Sequence, residues 1–313
     1  MHQLTYGDIK AAGERIAGRV RPVAVAPLDL PDGGGEVWAA LELLQHTGSF
    51  KARGAQNFLR AHREAGTLPD PGVTIASGGN AGLACAWAAQ QLGVRATVFV
   101  PETAPAVKVA RLRGYGAEVR QVGSEYAQAL AACEEYAASS GALASHAYDH
   151  PLIAAGAGTL LDEIRRQLPQ LDTVVVSVGG GGLFAGVATA AREHGVRTVA
   201  VEPEGSQALH AAMAAGRPVD VAVDSVAADA LGARRASATA LWATGQDGVR
   251  TVLVPDSEIV RARQLLWGGY RLAVEHAAST ALAALTGGAY RPAEGERVCV
   301  VLCGANTDPG TLG

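Results

Sequence analysis

Lys51 stands in the run Ser49-Phe50-Lys51-Ala52-Arg53-Gly54-Ala55, directly after a Thr-Gly-Ser turn and at the start of a helical pattern. That spacing puts its side chain in the first helical turn, at the positive end of the helix dipole, where an ammonium is disfavoured and its pKa falls. A neutral amine attacks carbonyl carbon, so the position suits imine chemistry; a solvated surface lysine is the plain alternative. Three further stretches carry chemistry. Val178-Gly179-Gly180-Gly181-Gly182-Leu183 joins an apolar strand to a helix, and four glycines let several N–H groups converge on a phosphate dianion. Read as Gly180-Gly181-Gly182-Leu183-Phe184-Ala185-Gly186, with Glu202 lying 20 residues beyond Gly182, the same loop comes close to a dinucleotide fingerprint whose last glycine is one position late. Ser77-Gly78-Gly79-Asn80 closes another strand, where N–H groups and the Ser77 and Asn80 side chains can hold a carboxylate or a phenolate oxygen. An N-cap is the alternative for Asn80. Cys303-Gly304-Ala305-Asn306 ends the last strand.

Loops of this kind bind ligands when a parallel sheet holds them beyond the carboxyl ends of its strands. The chain supplies the pattern: strands expected at 23–27, 37–44, 73–76, 95–100, 117–122, 173–178, 197–202, 251–254 and 298–302. Between them lie helices expected at 5–19, 51–62, 81–92, 105–113, 126–139, 151–167, 183–194, 206–215, 256–272 and 280–285. Short apolar strands alternating with helices of about a dozen residues make an α/β protein with a parallel sheet covered on both faces. A Pro-Asp-Gly-Gly-Gly turn is expected at 31–35, an irregular stretch at 218–232, and an inserted lobe at 50–145 against 1–49 plus 146–313.

Composition narrows the ligand. The 313 residues carry a net charge of -4 with no Lys/Arg run, which leaves no field for a nucleic-acid partner and points to a small molecule. No apolar stretch is long enough to cross a bilayer and the N-terminus lacks a signal-peptide core, so a cytoplasmic protein is expected. Cys85, Cys133, Cys299 and Cys303 form no Cys-x-x-Cys pair. Cys299 and Cys303 share a strand face, but about 13 Å of strand separates them, too far for a disulfide. His146, Asp149 and His150 suit a turn before Pro151 better than a metal site.

Taken in order, the lysine run, Ser77-Gly78-Gly79-Asn80, the tetraglycine loop and Cys303-Gly304 resemble the serine/threonine dehydratase family of fold type II pyridoxal-phosphate enzymes. Glu275-His276-Ala277-Ala278 is similar to that family's pattern as well. The resemblance covers about residues 20–310 and implies two open, mostly parallel twisted sheets covered by helices. It implies pyridoxal 5'-phosphate as cofactor, with Lys51 and Ser77 as catalytic residues. Lys51 forms the internal Schiff base, Phe50 packs by the ring, and Gly179, Gly180, Gly181, Gly182 and Leu183 cradle the phosphate. Asn80 bonds the ring hydroxyl, Cys303 faces the pyridine nitrogen where relatives carry serine, and Ser77, Gly78, Gly79 and Asn80 take the substrate carboxylate. The implied reaction is α,β-elimination: the freed Lys51 amine takes the α-proton, the β-hydroxyl leaves, and L-serine or L-threonine becomes pyruvate or 2-oxobutanoate plus ammonia.

Departures from the family refine this expectation. Gly78 replaces the serine that racemising relatives use on the opposite face of the α-carbon, which favours elimination. Ser206-Gln207-Ala208 replaces part of an acidic cation set, so no metal is expected. The chain ends soon after Cys303, so no C-terminal regulatory domain, and no isoleucine feedback through one, is expected. A homodimer is what the resemblance suggests. A β-replacement synthase, a lyase acting on threo-3-hydroxyaspartate, a nicotinamide dehydrogenase and a non-catalytic binding module are the competing readings.

Overall fold

The computed structural model describes residues 3–30 and 35–312, so most of the turn expected at 31–35 lies outside the described residues. The chain opens with α1 (Tyr6–Ile16), whose N-cap Thr5 and Asp8 form a capping box, then β1 (Val25–Leu28) and β2 (Glu36–Ala40). Helix α2 (Lys51–Glu64) leads to β3 (Val73–Ala76), α3 (Asn80–Leu92), β4 (Ala96–Val100), α4 (Ala106–Gly114), β5 (Glu118–Gln121), α5 (Tyr126–Ser140) and the two-residue β6 (Leu143–Ala144). There follow α6 (Pro151–Gln167), β7 (Thr173–Ser177), α7 (Gly182–Glu193), β8 (Arg197–Pro203), α8 (Ala208–Ala215), α9 (Ala228–Leu231) and α10 (Ala238–Thr244). β9 (Val249–Val254), α11 (Asp256–Tyr270), α12 (His276–Thr286) and β10 (Arg297–Val301) complete the fold.

Two sheets form. The larger runs β1-β2-β10-β7-β8-β9 and is parallel except for the β1–β2 pair; the smaller runs β5-β4-β3-β6 and is parallel throughout. β3, β4 and β7 are buried at every residue, as covering helices on both faces require. This is the mixed α/β architecture with two mostly parallel sheets that the strand–helix alternation and the resemblance led us to expect.

The differences are local. The strand expected at 37–44 stops at Ala40 and becomes a 3-10 turn over Glu42–Leu44, because the Glu42 carboxylate is drawn inward to Arg53 at 2.7 Å. Within 218–244 the chain forms α9 and α10, which are too short to show a period, α10 being capped by Ser237. α12 starts at His276 rather than 280, with Glu275 as its N-cap.

Helices α2, α6 and α7 cross at glycines. A Cβ on Gly156 would lie 2.7 Å from the Gly54 Cα, and one on Gly186 would lie 2.2 Å from the Ala154 carbonyl oxygen. The near-contact of backbones brings Lys51, at the head of α2, and the glycine loop, at the head of α7, to one end of the helix layer.

Candidate active site

The turn at His46–Gly48 aims Lys51. Thr47, a non-glycine residue, sits at φ 63 and Gly48 at φ 78, a left-handed pair that costs a β-branched residue on the order of 1–3 kcal/mol. The strain is held by the chain's other end: Phe50 N–H donates to the Cys303 carbonyl at 3.0 Å, Ala305 N–H to the Gly48 carbonyl at 2.9 Å, and Ser49 bridges Gly304. Lys51 is thereby the first residue of α2, with Nζ 4.9 Å from the centre of the Phe50 ring and donating to the Ala147 carbonyl at 2.7 Å. Burial lowers its pKa from 10.5 to about 8, with Cys303 and Glu275 opposing the drop. The solvated-lysine alternative fails.

Ala147 leads directly to the glycine loop through its neighbour Tyr148. A Cβ on Gly180 would lie 2.3 Å from the Tyr148 ring, one on Gly182 2.8 Å from the Tyr148 carbonyl oxygen, and one on Gly181, at φ +93, 2.2 Å from the Ala240 Cβ. No side chain fits there. Among the described residues, no acceptor takes the backbone N–H groups of Gly179, Gly180, Gly181, Gly182, Leu183 or Phe184. A run of unpaired donors at the N-terminus of a helix is the donor set an anionic group with several oxygens needs. On the same side lies Cys303, buried, with Sγ 3.6 Å from Ser177 Oγ; burial pushes its thiol up to about 12, so it is neutral.

The Ser77–Asn80 loop faces the same place. Gly79, not Asn80, caps α3, which overturns the N-cap alternative for Asn80; Ser77 Oγ accepts from Gly79 N–H at 3.3 Å. Asn80 Nδ2 lies 2.9 and 3.1 Å from the two Glu275 oxygens, and Asn80 Oδ1 accepts from Asn306 Nδ2 at 2.6 Å. Burial raises Glu275 to about 7, against the bond from Asn80 and the charge of Lys51. Gly304 must be bare, since a Cβ there would lie 2.4 Å from Glu275 Oε1. Lys51, Phe50, Asn80, Cys303 and the loop from Gly179 to Leu183 thus converge around one amine.

A protein-family model described as "Pyridoxal-phosphate dependent enzyme" matches residues 20–304. The chain belongs to that family. This pyridoxal-phosphate enzyme is 37% identical over 320 residues to the L-threonine ammonia-lyase of Geobacter sulfurreducens, covering 99% of this chain and 77% of that protein. It is 38% identical over 275 residues to the phenylserine dehydratase of Ralstonia pickettii, covering 87% and 83%. Among solved structures it is similar to maize serine racemase, with TM-score 0.91 and 28% identity over 99% of this chain and 96% of that one. It is also similar to the processed form of threonine deaminase isoform 2 from Solanum lycopersicum, with TM-score 0.87 and 27% identity over 98% and 86%.

Pyridoxal phosphate is the cofactor of this enzyme, and the donor set suits it: an amine driven toward neutrality, unpaired N–H groups for the phosphate, an amide and a neutral thiol. The dinucleotide reading falls. Glu202, raised to about 7 by burial, accepts from Leu209 and His210 N–H at 2.7 and 2.9 Å, so the acid required for a ribose is taken up by the first turn of α8. Ser206 and Gln207 donate to the carbonyls of Leu231 and Glu204. His146 Nδ1 accepts from Asp149 N–H at 2.8 Å and His150 Nδ1 from Leu152 N–H at 3.1 Å, both closing the turn into α6. Sequence reasoning missed Ala147, Tyr148 and Ser177, and gave Glu275 and Asn306 no role. A buried acid at a helix start was the one visible signal; the Asn80–Glu275 contact spans 195 residues and has no local signature.

Proposed function

We propose that the protein is a dehydratase of small hydroxy amino acids, converting L-serine or L-threonine to a 2-oxo acid and ammonia by α,β-elimination. One observation carries the reading: a half-buried lysine, lowered to about 8, donates to the residue before Tyr148, which packs on a glycine loop whose N–H groups donate to no described protein acceptor. The names of the relatives support the reaction and the substrate class.

When bound, pyridoxal phosphate supplies an aldehyde for the amino group and a ring that stores the electron pair left by the α-proton. Lys51 would hold it covalently, with Gly179 to Leu183 on the phosphate, Phe50 by the ring, Asn80 on the ring hydroxyl and Cys303 at the pyridine nitrogen. A neutral thiol there gives that nitrogen no proton partner of the carboxylate kind. The Ser77 hydroxyl and the N–H groups from Gly78 to Asn80 would take the substrate carboxylate, fixing the α-carbon. The Lys51 amine, lowered to about 8 and oriented by the Ala147 carbonyl, would be the base that takes the α-proton. Gly78 carries no side chain to return a proton to the far face, which favours elimination over the racemisation named for the structural neighbours.

A cytoplasmic homodimer, with the four cysteines kept reduced, completes the reading. Residues 50–145 would form its smaller lobe, with the apolar face of α2 in that lobe's core. The test is reduction with borohydride followed by peptide mapping, alongside assays with serine and threonine. A phosphopyridoxyl group on Lys51 and release of ammonia are expected; labelling elsewhere, or none, sinks the anchor, and labelling without ammonia release sinks the dehydratase.

A further inference from the structure

Asn80 could face a bound ring with either end of its amide, and its own position does not settle which. The polarity is set farther out. Arg111 on α4 donates from Nη2 to Asn306 Oδ1 at 2.6 Å, and a guanidinium has no acceptor, so the Asn306 oxygen must face α4. Asn306 Nδ2 donates to the Thr47 carbonyl at 2.8 Å, an oxygen with no proton to give. Held from both sides, Asn306 has one amide proton left, and it goes to Asn80 Oδ1 at 2.6 Å. The Asn80 nitrogen is therefore the end turned to Glu275, at 2.9 and 3.1 Å, where a single N–H forked between the two oxygens of one carboxylate leaves the second N–H for a ligand.

We propose that Asn306 and Arg111 are positioning residues: acting through Asn80, they make that side chain offer a donor to the oxygen on the cofactor ring, and they tie this polarity to the seating of α4. The inference rests on the reading in which Lys51 holds pyridoxal phosphate with its ring hydroxyl toward Asn80. It also joins the two sheets. Arg111 belongs to a helix covering the smaller sheet, Asn306 follows the last strand of the larger one, and beside them Lys108 of α4 pairs with Asp229 of α9 at 2.5 Å. A movement of α4 away from the 306 loop would leave the Asn306 oxygen without its guanidinium.

The test compares the cofactor-loaded parent with Asn306→Asp, Arg111→Met and Arg111→Lys. Asn306→Asp keeps size and the Arg111 contact, but puts an oxygen against Asn80 Oδ1 and the Thr47 carbonyl. Its visible absorption band should move away from the parent's and kcat should fall about tenfold or more, with KM little changed. Arg111→Met should move the band the same way but less far, and Arg111→Lys should recover it. A parent not labelled at Lys51 by borohydride would end the site reading and this inference with it. A labelled parent, with an unmoved band in Asn306→Asp, would end the relay alone. If Asn306→Asp does not fold, the exposed Arg111 decides: identical bands in Arg111→Met and Arg111→Lys overturn the proposal.

Discussion

Cys303 tests how far burial alone explains a site residue. Its thiol is 2% exposed and pushed up to about 12, first by desolvation and then by the charge of Glu275, so it contacts Ser177 as a neutral group. A serine hydroxyl has the same charge and a similar donor. Cys303→Ser is therefore expected to keep kcat/KM within about tenfold of the parent, or 1.4 kcal/mol in barrier; a larger loss in steady-state assays would mean that sulfur does more than fill the position. The same low-dielectric surroundings act oppositely on Lys51, whose charged form is the one disfavoured, so a single cause moves the amine toward neutrality and keeps the neighbouring thiol neutral. The chemical types of these residues were legible in the sequence. Their protonation was not, because it depends on which segments cover them.

At the scale of elements, the continuous apolar runs announced themselves: β3 and α6 occupy the residues their patterns marked, as a strand buried on both faces and a helix with Pro151 at its first position should. α9, α10 and β6 were invisible because a few residues show no period, and β2 was overextended because nothing local tells Glu42 to leave the strand for Arg53. The α6–α7 crossing was hidden too. Gly158 and Gly186 look like ordinary helix-weakening residues until the backbones meet, where a Cβ on Gly186 would lie 2.2 Å from one carbonyl oxygen and 2.7 Å from Gly158 N. Gly186→Ala should lower stability by about 1–3 kcal/mol through overpacking, despite the better helix propensity of alanine. A denaturation midpoint equal to or above the parent's would show that the two helices can part at no cost.

For the molecule as a whole, Arg53 is the tie between parts. Wholly buried, it donates to both Glu42 oxygens at 2.7 and 2.8 Å and to both Glu163 oxygens at 2.8 Å, so α2 is fastened to the turn after β2 and to α6. Its charge is held by those two carboxylates, well above the ordinary guanidinium range. Arg53→Met would leave Glu42, 1% exposed, as an unpaired buried charge, and should cost about 3–5 kcal/mol, read as a fall in the urea midpoint. A loss under about 1 kcal/mol would place the pair among weak surface contacts. Because α2 carries Lys51, the same variant should load less cofactor.

Read alone, the amino-acid order settles the succession of the longer strands and helices and the reactive side chains at the strand ends, since apolar periodicity, turns and a tetraglycine run are all local properties. The three-dimensional packing settles what those side chains are able to do. The pairing of residues 48–50 with 303–305, the hold of Asn306 on Asn80 across 226 positions and the burial that lowers Lys51 arise only when distant segments exclude water from one another. A pKa and an amide's polarity belong to those surroundings, and no window of sequence contains them.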